Sequence, residues 1–337
     1  MDSRGSTALA GREIKTTNKN NYPMKRLFTH LLALLSTTTA LYAGEEEITL
    51  NTPTGDIQGR LMLPEGDTPC PVVIIIAGSG PTDMNGNSIG TRLKNNSLLY
   101  LARELAAGGI ASVRYDKRGI GKSTAAGSKE ADLRFDHYIN DAAAWADKLA
   151  GDARFSQVII AGHSEGSLIG MIAANRSKAV SAYISIAGCG SPAYEILEKQ
   201  LQSAPQKIQK KSADICNELR QGRTVKKTPF YLAPLYRQSI QPYLISWFAY
   251  NPAVEIAKLN IPVLILQGDK DIQVGTEEAD KLHTAQPAAS LHIIKDMNHV
   301  LKQCYTMDKK AQMKTYKSAE LPINPELVEH IVEFVKE

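Results

Sequence analysis

The amino-acid sequence predicts an α/β fold: a doubly wound, mostly parallel sheet with one helical cap inserted into it. Three observations favour this fold class: uninterrupted β-branched apolar runs, helix-like segments between those runs, and a single break in the alternation. Apolar runs of this kind are typical of strands that are buried on both faces, as in parallel sheets. Their alternation with helices indicates right-handed βαβ units.

The predicted elements follow one another along the chain. A β-hairpin is expected over residues 47–66, around the turn residues 52–56. Six buried strands are expected at residues 71–80, 110–116, 157–162, 182–188, 262–268 and 290–296. Helices are expected between them at residues 96–109, 137–152 and 166–177. A last helix begins with Asn324 as its cap and Pro325 in its first turn.

Residues 191–259 interrupt the alternation of strands and helices. This stretch is first polar and helical in pattern and then rich in aromatic residues, and it lies between two predicted strands. We therefore expect a helical cap at residues 191–259, and a core formed by residues 44–190 and 260–337. The alternative is a set of long crossover helices that pack on the sheet face.

The amino terminus predicts a secretory signal peptide over residues 1–43, with translation starting at Met24. Lys25 and Arg26 precede an apolar run, and the small residues Ala40 and Ala43 follow it. The alternative is a membrane anchor, but polar residues dilute the run, so no stable anchor is expected. The sequence therefore predicts export to the periplasm or the extracellular space.

Charge and cysteine content bear on the partners and cofactors to be expected. The formal net charge is +4, but residues 1–43 hold six of the 39 Lys and Arg and only two of the 35 Asp and Glu. The rest of the chain is formally neutral, so no nucleic-acid partner is expected. The spacing of the cysteines is not typical of a metal site. The sequence leaves open whether they form disulfides or remain free thiols. They are Cys70, Cys189, Cys216 and Cys304.

The motif Gly-His-Ser-Glu-Gly at residues 162–166 lies between a predicted buried strand and a predicted helix. G-x-S-x-G in this context is typical of a nucleophile elbow, a strained turn that raises a serine hydroxyl above the sheet edge. The glycines permit a close approach of strand and helix. We predict Ser164 as the nucleophile and expect His163 to pack or orient. The alternative is an ordinary turn with an incidental serine.

A serine hydroxyl is a weak nucleophile and needs a base, and the base needs an orienting carboxylate. His299 follows the last predicted strand, and Asp269 and Asp271 follow the strand before it. Loops at the carboxyl ends of parallel strands converge, so we expect these groups to meet Ser164. Both acids stay open at this point.

A tetrahedral intermediate also needs N–H donors for its oxyanion. One donor is expected from the backbone of Glu165, directly after the nucleophile. The second is expected from the glycine-rich loop at residues 77–81, where we favour the N–H of Ser79. Phosphate binding is the alternative role of this loop, but the lysine and glycine spacing of that class are missing.

Taken together, these motifs resemble the α/β-hydrolase superfamily over residues 47–337. The resemblance implies that Asp271, three residues after Gly268, is the acid, with Asp269 in reserve. The loop at residues 78–87 is also similar to one in exported bacterial esterases and in serine-aminopeptidase-like relatives. The resemblance further implies that four residues brace the loops around the site: Asp116, Arg118, Gly119 and Gly121.

The predicted function is that of an exported serine carboxylesterase that cleaves small or medium acyl esters, with no cofactor or metal. Cap aromatic residues would either line an acyl pocket or fix the cap to the core. They are Phe230, Tyr231, Tyr236, Tyr243, Trp247, Phe248 and Tyr250. The first alternative is a serine aminopeptidase, in which Glu195, Glu198 or Asp214 would hold a substrate ammonium. The second is a non-catalytic binding protein with the same fold.

Overall fold

The computed structural model of this 337-residue chain describes residues 42–66, 69–127 and 129–337. The signal peptide predicted over residues 1–43, with its start at Met24, lies almost entirely outside the described residues. Strands in the described part of the chain form an eight-stranded sheet. They are β1 Tyr42–Leu50, β2 Ile57–Pro64, β3 Cys70–Ile76, β4 Ala111–Tyr115, β5 Phe155–His163, β6 Val180–Ile186, β7 Val263–Gly268 and β8 Ser290–Ile294.

The strand order in the sheet is β1-β2-β4-β3-β5-β6-β7-β8. β1 and β2 form the predicted hairpin, and β2 pairs antiparallel with β4. Every later pair, from β3–β4 to β7–β8, is parallel. The predicted hairpin and the six predicted strands are therefore confirmed as strands. β8 is not buried as expected, because it lies at the edge of the sheet, where Ser290 and Ile293 are exposed. The carboxyl ends of the parallel strands share one edge of the sheet.

Helices connect the strands and cover both faces of the sheet. They are α1 Ser97–Ala107, α2 Phe135–Ala150, α3 Glu165–Arg176, α4 Ala193–Gln200, α5 Gln206–Arg220, α6 Ala233–Tyr236, α7 Gln241–Phe248, α8 Pro252–Ile256, α9 Thr276–Ala285, α10 Lys309–Thr315 and α11 Pro325–Lys336. The side chain of Asn324 caps α11 by accepting from the N–H of Glu326, as its position before Pro325 predicts. Over the residues described, no helix combines the length and the apolar character that a membrane crossing requires.

The central strand β3 divides the core into two layers. Val72, Ile74 and Ile76 pack on one face with residues of α2 and α3. Val73 and Ile75 pack on the other face with residues of α1 and α11. All five side chains are buried, because alternate side chains of a strand point to opposite faces and both faces are covered by helices.

The chain leaves the sheet after β6 and returns at β7, and α4 to α8 lie in this interval. Aromatic side chains join the interval to the core. Phe135 of α2 stacks on Trp247 of α7, with ring centroids 5.7 Å apart, and Tyr138 meets Tyr243 edge-on at 5.6 Å. Phe230, by contrast, is 87% exposed and contributes little to this packing.

The turn between β5 and α3 is strained and closely packed. Ser164 has a φ of 55°, a value that favours glycine, and its N–H donates to the Ile186 carbonyl over 2.9 Å. A Cβ at Gly162 would overlap the carbonyl oxygen of Gly166, and a Cβ at Gly166 would overlap that of Ile76. The two glycines therefore let α3 begin directly against the ends of β3 and β5.

Gly162→Ala is expected to lower the free energy of unfolding by about 1–3 kcal/mol, because the added methyl group meets backbone that cannot move aside. Gly151→Ala is the matched control. Gly151 has a φ of −81°, and its added Cβ would lie 3.5 Å or more from its neighbours, so a change within about 0.5 kcal/mol is expected. Urea unfolding of both variants measures the difference, and equal stabilities would contradict this account of the turn.

Candidate active site

His299 and Asp271 form a buried pair on the loops that follow β8 and β7. The His299 Nδ1 lies 2.7 Å from Asp271 Oδ2, and both side chains are almost fully buried. The carboxylate is held in place by the N–H groups of Gln273 and Val274, which donate to Oδ1 over 2.7 and 3.0 Å. With Nδ1–H donating to Asp271, the Nε2 of His299 is the nitrogen left to accept a proton.

The contacts of Asp271 keep its carboxyl group ionised. Burial by itself raises the pKa of this group. The charge and hydrogen bond of His299, together with the N–H groups of Val274 and Gln273, outweigh burial and lower the pKa below its usual value. A carboxylate in this state fixes the imidazole tautomer and stabilises the imidazolium that forms when His299 takes a proton.

Asp269, the other acid left open by the residues, makes no hydrogen bond to His299. Its carboxylate accepts from the Lys270 ammonium over 2.7 Å and from the N–H of Asp296 over 2.6 Å. The structure thus brings Asp271 to the imidazole of His299. Asp269 instead connects the loop after β7 to the loop after β8.

Ser164 and His299 line one cavity beside the loop that follows β3; we call it the loop-side cavity. It is also lined by Gly78, Ser79, Thr82, Gly86, Ser88, Leu93, Asn95, Ser97, His163, Gln273, Val300 and Tyr316. In this geometry Ser164 makes no direct hydrogen bond to the imidazole. Catalytic hydrogen bonds are often long in free enzymes and shorten when substrate binds.

His163 supports the backbone of His299. Its Nε2 lies 2.8 Å from the His299 carbonyl oxygen, and the two rings lie 4.9 Å apart. Burial and the nearby charge of His299 lower the pKa of His163 to about 3. The ring is therefore neutral at ordinary pH and donates to the carbonyl, which is an orienting role and not that of a base.

A second cavity lies between Ser164 and the helices α4, α7 and α8; we call these helices between β6 and β7 the cap, and this cavity the cap-side cavity. Its apolar lining is Leu168, Ala193, Ile196, Leu197, Trp247, Pro252 and Val274. The remaining lining residues are Ser79, Ser164, Glu165, Cys189, Ser191, Gln200 and Gln273. Trp247 thus both packs on the core and lines a cavity, so the two expected roles of the cap aromatics are combined in one side chain.

Ser164, Ser79 and Gln273 line both cavities, so the serine lies where the two meet. The backbone N–H groups of Ser79 and Glu165 donate to no acceptor among the described residues. Glu165 is the first residue of α3, and the first N–H groups of a helix have no partner within it. Ser79 lines both cavities together with Ser164, and Glu165 follows Ser164 directly, so their two unpaired N–H groups are the candidate donors of an oxyanion hole.

The loop after β4 braces the site as the resemblance implies. The Asp116 carboxylate accepts from the N–H groups of Met84 and Lys122 over 2.7 and 2.8 Å. Arg118 is paired with Asp141 over 2.6 Å. Lys117, between these residues, is also buried, and nothing in the sequence singles it out, because a loop lysine is usually solvated.

All four cysteines are free thiols in the structure. Among the described residues, Cys189 is the cysteine that lines the cap-side cavity. Burial raises the pKa of its thiol, so it stays protonated and is a poor nucleophile. Ser164 is therefore the better candidate nucleophile at this edge of the sheet.

Comparisons of the sequence with known proteins also point to a hydrolase. Residues 94–244 match the family described as serine aminopeptidase, S33. Esterase EstD of Thermotoga maritima is 27% identical over 274 residues, or 76% of this chain, and the chain spans 60% of the length of that relative.

Solved structures share the fold at low sequence identity. Est1E of Butyrivibrio proteoclasticus with bound ferulic acid has a TM-score of 0.55 and 19% identity over 86% of this chain and 100% of its own. The Pyrococcus furiosus esterase PF2001 has a TM-score of 0.53 and 13% identity over 87% of this chain and 91% of its own. With its sheet order, its strained serine turn and these similarities, the chain has the α/β-hydrolase fold and is similar to esterases that share this fold.

Proposed function

We propose that this chain is a serine carboxylesterase that cleaves small or medium acyl esters through an acyl-serine intermediate. The observation that carries the proposal is the meeting of three groups at one edge of the sheet. These are a strained serine between two cavities, a buried His299–Asp271 pair, and the unpaired N–H groups of Ser79 and Glu165.

The proposed mechanism assigns one task to each group. His299 takes the proton of Ser164 through Nε2 as the serine oxygen attacks the ester carbonyl carbon. The N–H groups of Ser79 and Glu165 hold the oxyanion. His299 then protonates the leaving alcohol. In the second half, His299 takes a proton from water as the water oxygen attacks the acyl carbon, and it returns that proton to the Ser164 oxygen as the acid leaves. Asp271 stays ionised throughout and holds the imidazole.

The lining of the cap-side cavity supports the proposed substrate class. Ile196, Leu197 and Trp247 are among its apolar lining residues, and such side chains suit the alkyl chain of an acyl group. The loop-side cavity, which Ser164 also lines, is the candidate site for the alcohol part of the ester.

A serine aminopeptidase is the second candidate function, because the matching family model carries that description. Such an enzyme needs a carboxylate for the substrate ammonium. Of the described residues that line the two cavities, Glu165 is the sole acid, and its carboxylate is engaged by Lys117 and Tyr243. The acids expected for this task, Glu195, Glu198 and Asp214, are exposed to solvent. These contacts favour an ester over a peptide.

Export to the periplasm or the extracellular space is part of the proposal and rests on residues 24–43 alone. Cleavage after Ala43 would leave Gly44–Leu50 of β1, in which Gly44 is paired with Leu63. We expect the exported protein to begin near Gly44, which fractionation and amino-terminal sequencing will test. A cytoplasmic protein that retains residues 24–43 would contradict this part of the proposal.

The folded protein is expected to hydrolyse p-nitrophenyl esters, with the highest kcat/KM at short or medium acyl chains. Ser164→Ala removes the nucleophile, so kcat should fall more than about a thousandfold. Ester hydrolysis at equal rates by both proteins would contradict the proposal. Aminoacyl p-nitroanilides are the comparison substrates, and faster release from these than from esters would favour the peptidase.

Asp271→Asn is expected to lower kcat by about a thousandfold to ten-thousandfold, because a neutral amide permits the wrong imidazole tautomer. Asp269→Asn is the matched control, with the same chemical change two residues away. Its kcat should stay within about threefold of the wild type, since Asp269 contacts Lys270 and Asp296 and not His299. Steady-state kinetics of both variants measure the difference. A larger loss of kcat in Asp269→Asn than in Asp271→Asn would show that Asp269 is the acid that orients His299.

A further inference from the structure

Lys117 and Glu165 form a buried ion pair directly beneath the candidate oxyanion hole. Their side chains are 2% and 3% exposed, and Lys117 Nζ lies 2.7 Å from Glu165 Oε2. A buried pair of this kind is favourable only when further hydrogen bonds satisfy the remaining donors and acceptors. Here they do, since Lys117 also donates to the Gly78 carbonyl oxygen over 2.6 Å, and its ammonium lies 5.0 Å from the Tyr138 ring centroid.

The bond to Gly78 bears on the N–H of Ser79, because both groups belong to one peptide unit. A peptide unit is planar and trans, so its C=O and N–H point in opposite directions. By holding the carbonyl, Lys117 fixes the N–H of Ser79 on the side away from the ion pair. Gly78 needs such a restraint, since a glycine permits peptide orientations that other residues exclude.

The same loop lies directly against the nucleophile. A Cβ at Gly78 would come 3.2 Å from the Ser164 Cβ, so a side chain at position 78 would crowd the serine. A turn of the 78–79 peptide would therefore exchange an N–H for a carbonyl oxygen beside the developing oxyanion. That exchange would repel the charge which the hole must stabilise.

Glu165 connects the second donor to the same ion pair. Its backbone N–H is the donor next to Ser164, and its carboxylate accepts from Lys117 and, over 2.5 Å, from the Tyr243 hydroxyl. Tyr243 lies in α7 of the cap. Burial and the charge of Glu165 raise the pKa of Tyr243, so its hydroxyl keeps the proton that it donates.

We propose that Lys117 and Glu165 are positioning residues which hold both N–H groups of the oxyanion hole in place, and that Tyr243 couples them to the cap. This inference rests on the proposed esterase function. Neither side chain takes a proton or touches the reacting atoms in this role. Lys117 orients the Gly78–Ser79 peptide, and Glu165 neutralises the lysine charge while its own N–H faces the substrate.

Lys117→Met is expected to lower kcat of ester hydrolysis by about tenfold to a thousandfold with KM within about threefold, because one oxyanion donor is lost mainly in the transition state. The rate of Ser164 phosphonylation by a fluorophosphonate should fall in parallel. The pH midpoint of kcat/KM should stay in place, since the His299–Asp271 pair is untouched. Lys122→Met, which removes an exposed lysine of the same loop, is the matched control and should behave as wild type.

The double variant Lys117→Met/Glu165→Gln separates orientation of the peptide from charge balance. It leaves no unpaired buried charge, so it should fold even where Lys117→Met does not, and it should keep the full loss of kcat. Recovery of wild-type kcat in the double variant would overturn the inference, as would a Lys117→Met enzyme with unchanged kcat. Tyr243→Phe removes one hydrogen bond to a charged group and should lower kcat by about tenfold or more; an unchanged kcat would overturn the coupling to the cap.

Wild-type ester hydrolysis and labelling of Ser164 test the proposed function separately from this inference. A crystal structure of the double variant gives a reading that does not depend on activity. A Gly78 carbonyl turned away from its wild-type direction would support the positioning role. The same carbonyl direction in both structures would overturn it, whatever the substrate of the enzyme proves to be.

Discussion

The close backbone approach at the serine turn is the constraint on which the rest of the site depends. Because Gly162 and Gly166 carry no side chain, α3 begins against the ends of β3 and β5. This places the strained Ser164 next to Gly78 and aims the first N–H groups of the helix at the same point. Loops from β7 and β8 reach that point from the other side with Asp271 and His299. A bulkier turn would separate the nucleophile from both its donors and its base.

Buried polar contacts then fix the loops that this turn brings together. Asp271 is held by two backbone N–H groups of its own loop, and His163 donates to the backbone of His299. On the opposite side, the Lys117–Glu165 pair ties the loops after β4, β3 and β5 to one another. The contacts of His163 and of the Lys117–Glu165 pair join segments that lie far apart in sequence. The site is therefore preorganised by interactions outside the reacting groups, which is the condition for strong electrostatic stabilisation of a transition state.

Much of the fold could be predicted from the sequence, because β-branched apolar runs and the G-x-S-x-G motif reflect local requirements. The choice between Asp269 and Asp271 could not be made from the residues themselves, since both follow β7 and differ only in how the turn folds. Lys117 was missed because its burial depends on three partners from other parts of the chain. The double role of Trp247 likewise depends on how the cap packs against α2, which no local pattern encodes.

The central claim is that Ser164 attacks a carbonyl whose oxyanion is held by the N–H groups of Ser79 and Glu165. The most direct test is a crystal structure of the protein after reaction with a p-nitrophenyl alkylphosphonate, whose adduct mimics the tetrahedral intermediate. The account predicts phosphorus bonded to the Ser164 oxygen, with the phosphoryl oxygen about 2.7–3.1 Å from both nitrogens. An adduct on another residue, or a phosphoryl oxygen directed away from both nitrogens, would contradict it.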